Sequence, residues 1–279
     1  MRFYKNGTKR FLEHIIYSNF VVSISIGMLS YGICHQLKIN HSEWYSLFVF
    51  SSTFFTYNVQ RFLKATQHKA NTTNLVKWLN LHRRQQYILV VISFILLIIS
   101  FLKVYTFGFF SIILLGASAL VSLFYVLPIK NKSLRDIPHL KIHLISLICL
   151  IAIGFFQLIN ENDFELKNWL FVGAHYFFIL AIAIPFDIRD LQHDNPSQKT
   201  IPQVFGELPS KLLSLFLLLL YTSLILDIKP ALFSNFAFLF FIFATSIVLL
   251  NVNQDRSEFF FSGIIEGSIF ALGITFLLN

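Results

Sequence analysis

The chain has 279 residues, of which 56% are hydrophobic and 13% charged, roughly half the charged share of an ordinary soluble domain. That balance excludes a soluble globular enzyme. The formal net charge is +8, yet the charges sit in short stretches between apolar runs, so nothing beyond the charge itself points to nucleic acid as a partner.

In chain order, a basic start with Arg2, Lys5, Lys9 and Arg10 precedes an apolar run at 14–33. This run lacks a small-residue cleavage site and other runs follow, so it reads as a retained span rather than a removed signal peptide. Further apolar runs fall at 44–58, 87–103, 107–127, 142–159, 168–187, 211–227, 231–250 and 259–278. A bilayer-crossing helix needs about 20 residues, and a backbone in lipid must satisfy its own hydrogen bonds. Blocks such as Ile88–Ser100 do not alternate in polarity, which argues against a membrane barrel. The expected fold class is therefore all-α, a polytopic transmembrane helical bundle of about nine spans in one domain over 1–279. Cys34 and Cys149 fall in or beside apolar runs without disulfide or metal spacing, and read as small packing residues.

The loops set the orientation. Of the 22 Lys and Arg residues, 18 fall in the N-terminal segment and alternate loops, and the other side holds Lys38, Lys103, Lys167 and Lys229. By the positive-inside rule the N-terminus is cytoplasmic and, after nine spans, the C-terminus is outside. The expected location is a bacterial inner membrane, and the basic face suits anionic membrane lipid. The long polar loops 59–86, 128–141 and 188–210 share the cytoplasmic side, so site chemistry is expected there. Trp44, Trp78 and Trp169 lie near span ends, as interfacial anchors do.

The stretch Ile184–Gly206 carries the chemistry. Asp187, Asp190 and Asp194 stand at i, i+3 and i+7, one face of a helix if the helix continues. Three acids there repel one another unless a cation lies between them, and carboxylate oxygens suit Mg²⁺. Arg189 and Lys199 lie close enough in sequence to hold diphosphate oxygens. The plainer reading is a solvated helix end.

These residues, with Lys199-Thr200-Ile201-Pro202 and Gly206 behind them, resemble the second aspartate-rich motif of the UbiA superfamily of intramembrane prenyltransferases, which follows the sixth span. Tyr125-x-x-Pro128-x-Lys130 is similar to that family's Tyr…Lys loop, and Glu266-Gly267 to an acid–glycine pair in its last span. The resemblance implies a nine-helix, UbiA-like fold with a cytoplasmic active site. It implies transfer of a prenyl group from a prenyl diphosphate to an aromatic or other hydrophobic acceptor, with Mg²⁺ as cofactor. Asp187, Asp190 and Asp194 would then be the catalytic and metal-binding residues. Asn58, Arg61, Lys64, Tyr125, Lys130, Arg189 and Lys199 would hold the diphosphate.

The sequence departs from the family at the first aspartate motif. Where acids are expected it has Thr56-Tyr57-Asn58-Val59-Gln60-Arg61-Phe62-Leu63-Lys64. Asn58 or Gln60 takes the ligand position and no aspartate remains, which leaves one metal at most. Either Arg61 and Lys64 bind the diphosphate as fixed cations, or catalysis is lost and the chain is a non-catalytic prenyl-lipid-binding relative. A membrane transporter is the third reading, and needs a broken helix for which Pro185 is the one candidate.

Other polar residues weigh less. Glu266 inside the last span is a functional hypothesis because an ionisable group at membrane depth is costly. His139 and His143 have i, i+4 spacing but no evident third ligand, and read as an interfacial polar face. His193 is a pH-sensitive neighbour of the acids. Asn71-Thr72-Thr73 fits a glycosylation pattern, but in a loop assigned to the cytoplasm. The topology is directly testable: a reporter enzyme active only outside the cytoplasm is expected to be active when fused at the C-terminus and silent when fused in loop 188–210.

Overall fold

The computed structural model describes residues 12, 14–67, 78, 79, 81–104, 108–127, 133–192 and 194–278, without the side chains of 64–67. Among these residues nine long helices follow the nine apolar runs. They are α1 (Phe20–Gln36), α2 (Ser42–Gln67), α3 (Arg83–Lys103), α4 (Phe109–Phe124), α5 (Leu140–Asn160), α6 (Leu166–Arg189), α7 (Glu207–Ile228), α8 (Phe236–Leu250) and α9 (Phe260–Thr275). Four of them, α3, α5, α6 and α7, are long and apolar enough to cross a membrane, and α1, α4, α8 and α9 are shorter apolar helices. α2 is the longest because it continues past its apolar run into the polar segment that begins at Asn58.

Helices adjacent in sequence pack together through most of the chain, and α9 returns onto α1 to close a ring. The return depends on two glycines. A Cβ on Gly273 would stand 2.5 Å from the Met28 carbonyl oxygen, and one on Gly32 would strike the Gly273 carbonyl. Small residues allow backbones this close, the usual way membrane helices gain packing energy where apolar lipid offers no hydrophobic drive. Phe171, Phe178, Tyr221, Phe238 and Phe276 are fully buried in the resulting core.

Several helices depart from regularity, and side chains mend three of the four breaks. The first apolar run is interrupted at Ser18–Asn19, where Asn19 is left-handed with φ 61°. Asn58 donates to the Ser18 carbonyl at 3.1 Å, and Arg61 donates to the Tyr17 carbonyl. α5 contains a π turn over Ile151–Phe155, where Gln157 donates to the Ala152 carbonyl at 2.8 Å and to Ser30 of α1 at 3.0 Å. α6 runs through Pro185 to Arg189 without breaking, so the broken helix a transporter reading needs is absent there. Proline leaves the carbonyl four residues earlier without its partner. That carbonyl belongs to Ala181, and Ser214 of α7 donates to it at 2.5 Å. A second π turn, Phe260–Ile265, opens α9.

At one end of the bundle Tyr45 donates to Glu161 at 2.5 Å and accepts from Asn160 at 2.6 Å, tying α2 to α5. Lys103 lies 5.5 Å over the Trp44 ring there, and Trp169 donates to the Asp163 carbonyl. Trp78 stacks on His82. Gly273→Leu is expected to lower stability by about 1–3 kcal/mol or more, read as a lower melting temperature in detergent, with Gly116→Leu, where a side chain meets open space, as the neutral control.

Candidate functional site

Seven of the helices, α1 to α6 and α9, line a cavity of about 1470 Å³. This exceeds the roughly 300–1,000 Å³ of ordinary small-molecule sites. Its inner part is apolar, with Val22, Ile26, Val49, Leu115, Ile148 and Ile179 among the lining side chains. Its other end is charged and lies on the side of the long basic loops. That end is built from the polar end of α2, the α4–α5 loop, the C-terminus of α6 and the α8–α9 loop.

Four cations line it: Arg61, Arg135, Lys141 and Arg189. The acids facing them are Asp187, Asp190, Asp194 and Glu258, with Asp136 in the loop and Glu266 on α9. Lys141, in the first turn of α5, lies 2.8 Å from Asp187 and 2.6 Å from Asp194. Arg135 reaches the other oxygen of Asp194 at 3.1 Å. Arg189 holds both oxygens of Asp190, at 2.8 and 3.1 Å, and lies 3.3 Å from Glu258. Its guanidinium also sits over the rings of Phe186 and Phe261 at 5.1 and 5.5 Å.

The three aspartates therefore meet, but not along one helix face. α6 ends at Arg189, Asp190 is its C-cap, and the chain turns before Asp194. The negative end of a helix disfavours a row of carboxylates. Leaving the helix lets Asp194 reach Arg135 and Lys141 instead. The short helix Pro196–Gln198, started by Asn195 accepting from the Ser197 amide, carries the loop back. Gln198 then donates to Asp136 at 3.0 Å and accepts from the His139 amide at 3.0 Å, so the α6–α7 loop is latched to the α4–α5 loop.

Of the diphosphate-binding set read from the sequence, Arg61, Tyr125 and Arg189 line the cavity. Asn58 does not: it is buried, and its amide donates to the Ser18 and Phe54 carbonyls. Gln60 lines the cavity while donating to the Ser122 carbonyl at 2.8 Å. Lys199 is an exposed left-handed cap outside the cavity wall. Lys130, Pro128, His193, Asn71-Thr72-Thr73 and the side chain of Lys64 lie outside the described residues. His143 is bonded to Tyr176 at 2.6 Å and does not join a metal cluster with His139 among the described residues.

Sequence reasoning missed Lys141, Arg135, Asp136 and Glu258. In a membrane protein they look like topology-setting loop charges. The available signal was that Lys141 stands within the first turn of an apolar span, where a charge needs a partner.

No family model and no curated protein matches the sequence. Solved structures do. A UbiA homolog from Aeropyrum pernix K1 is 14% identical, with a TM-score of 0.61 over 92% of this chain and 95% of that one. A UbiA homolog from Archaeoglobus fulgidus, bound to GPP and Mg²⁺, is 14% identical, with a TM-score of 0.59 over 95% and 100%. A digeranylgeranylglyceryl phosphate synthase is 16% identical, with a TM-score of 0.58 over 97% of each chain. The chain has the UbiA fold. With its apolar helices, that fold is the architecture of an integral membrane protein.

Mg²⁺ does not fit between the carboxylates of this UbiA fold as they stand. The ion demands near-octahedral oxygens at about 2.0–2.1 Å, and here an ammonium lies between Asp187 and Asp194 while Arg189 takes both oxygens of Asp190. Among the described residues no three His, Cys, Asp or Glu side chains form a metal cluster. The charged network also sets two carboxyls outside the spans. Burial disfavours the charged form of Asp190, but the Arg189 guanidinium outweighs it and holds the carboxyl below the ordinary aspartate value. Partial burial of Asp136 is likewise outweighed, by the Ser133 hydroxyl and amide and by Gln198. A depressed carboxyl stabilises the fold above its unfolded value, about 3.9, and this contribution disappears as pH falls through the lower folded value. The melting temperature of wild type is expected to exceed that of Asp136→Asn at neutral pH, with the gap closing only below about pH 3.9.

Proposed function

We propose that this chain, as one domain over 1–279, binds a prenyl diphosphate and transfers its prenyl group to a hydrophobic acceptor within the membrane. The observation that carries the reading is the cavity itself: apolar along most of its length, with four cationic side chains at one end. A prenyl diphosphate has the same division. The reading puts the charged end on the cytoplasmic face of a bacterial inner membrane, where the basic loops belong by the positive-inside rule.

In this reading the isoprenoid tail lies among the apolar side chains and the diphosphate lies against Arg61, Arg135, Lys141 and Arg189. As the allylic C–O bond breaks, its electron pair leaves with the diphosphate, and the fixed cations stabilise the growing negative charge. Phe186 and Tyr125 line the same region and offer ring faces to the allylic cation. The acceptor attacks that carbon and gives up a proton, and in this scheme Glu266 on the cavity wall receives it. Asp187, Asp190 and Asp194 orient the cations. Mg²⁺ beside the diphosphate is the expectation that the resemblance and the A. fulgidus homolog support. The carboxylates offer it no room while Lys141 stands between them.

The non-catalytic relative remains the second reading, favoured by the engagement of Asn58 with backbone carbonyls in place of a ligand-binding acid. The test uses radiolabelled geranyl diphosphate with purified protein and, separately, with a membrane-lipid extract as acceptor source, in the presence of Mg²⁺. Binding and appearance of label in a prenylated lipid are expected. Transfer is expected to fall about 100-fold, the scale for misplacing reacting groups, in the Asp187→Asn/Asp190→Asn variant. Full transfer by that variant would sink the site assignment, binding without transfer would select the second reading, and no binding would remove both.

A further inference from the structure

The arrangement around Lys141 bears on metal as well as on diphosphate. Its ammonium is buried at the cavity wall, with side-chain exposure of 10%, against 2% for Asp187 and 5% for Asp194. It stands where a divalent ion shared by those two carboxylates would stand. Arg135 supports Asp194 from the other side, and Gln198, joined to Asp136, holds the Arg135 loop against the α6–α7 loop. A small pocket of about 80 Å³, lined by His139, His143 and Gln198 among others, lies against Lys141 and Asp187.

Charge decides what this means. Around Asp187 and Asp194 the chain sets Lys141 and Arg135, and between Asp190 and Glu258 it sets Arg189. Removing charges from water is costly unless each finds a partner, and here the chain supplies the partners itself. A divalent ion entering the ligand-free site would meet the Lys141 ammonium at the place it would have to occupy. A diphosphate ester changes that balance. Its negative charge offers Lys141 a new partner, and only then are the oxygens of Asp187 and Asp194 released for metal.

We propose that Lys141 is a built-in counter-cation that closes the Asp187–Asp194 site to divalent metal until a diphosphate enters. The proposal rests on the prenyl diphosphate reading for its second half alone; the competition between Lys141 and metal stands without it. Lys141 is thus a positioning residue that acts through the two aspartates.

The test is Mn²⁺ binding to the purified protein, followed by electron paramagnetic resonance with no diphosphate present. Wild type is expected to bind Mn²⁺ at least about tenfold more weakly than Lys141→Met, and the gain is expected to vanish in Lys141→Met/Asp187→Asn. Mn²⁺ is also expected to raise the melting temperature of Lys141→Met, by replacing the missing cation, and to leave that of wild type unchanged. Geranyl diphosphate added to wild type is expected to bring Mn²⁺ binding up to that of the variant. Tight Mn²⁺ binding by wild type alone would overturn the proposal whether or not the variant folds. So would a folded Lys141→Met protein with no gain in Mn²⁺ affinity. Wild type that fails to bind geranyl diphosphate with Mn²⁺ present removes the proposed function and the diphosphate half of the gate, and the two metal-only comparisons still decide the competition.

Discussion

A backbone in lipid has no water to turn to, and most of what is distinctive in this protein follows from that constraint. Regular helices meet it for nine segments. At three of the four departures from regularity, carbonyls are taken by a side chain from nearby or from the next helix: Tyr17 by Arg61, Ser18 by Asn58, Ala152 by Gln157 and Ala181 by Ser214. Three of the four donors to these carbonyls come from elsewhere in the fold, so the same bonds that repair the backbone also fix how the helices sit against one another. Asn58 and Arg61 fasten α2 to the start of the bundle, and Ser214 fastens α7 to α6. The irregular segments border the cavity, which is where membrane proteins tolerate them.

A second constraint acts at the charged end. Carboxylates at membrane depth need partners, and the chain supplies them from three separate segments. Lys141 comes from α5, Arg135 from the preceding loop, and Arg189 from the last turn of α6, where it also reaches Glu258 in the loop before α9. Apart from Arg189 and its neighbour Asp190, each pair joins segments distant in sequence, so the cluster clasps the loops as well as lining the cavity. The proposed function and the folding draw on the same residues, which is why variants here need a stability readout beside any activity readout.

The helices were legible because a run of about 20 apolar residues has few alternatives in a bilayer. Their ends were less so. Only Ser18-Asn19 marks the break in 14–33, a pair that tolerates a turn but does not demand one without proline or glycine beside it, and the two π turns have no sequence mark of their own. Pro185 was legible but misleading, because its cost is met by a serine on another helix. At the site, Asp187, Asp190, Asp194, Arg189 and Arg61 stood out as polar residues at span ends, and all reach the cavity. Their partners did not stand out. Whether a basic residue serves topology or pairs with a buried acid depends on contacts between loops, as the distances from Lys141 and Arg135 to Asp194 show.

Asn58 constrains what the polar end of α2 can carry. It donates from one amide nitrogen to two carbonyls, at 3.1 and 2.8 Å, in a buried setting. Aspartate has the same shape, but when ionised it can only accept. An acid at this position would set its oxygens against two carbonyl oxygens and undo the mend at Ser18. A carboxylate here is therefore not one substitution away, because the first helix would have to be straightened before it could be seated.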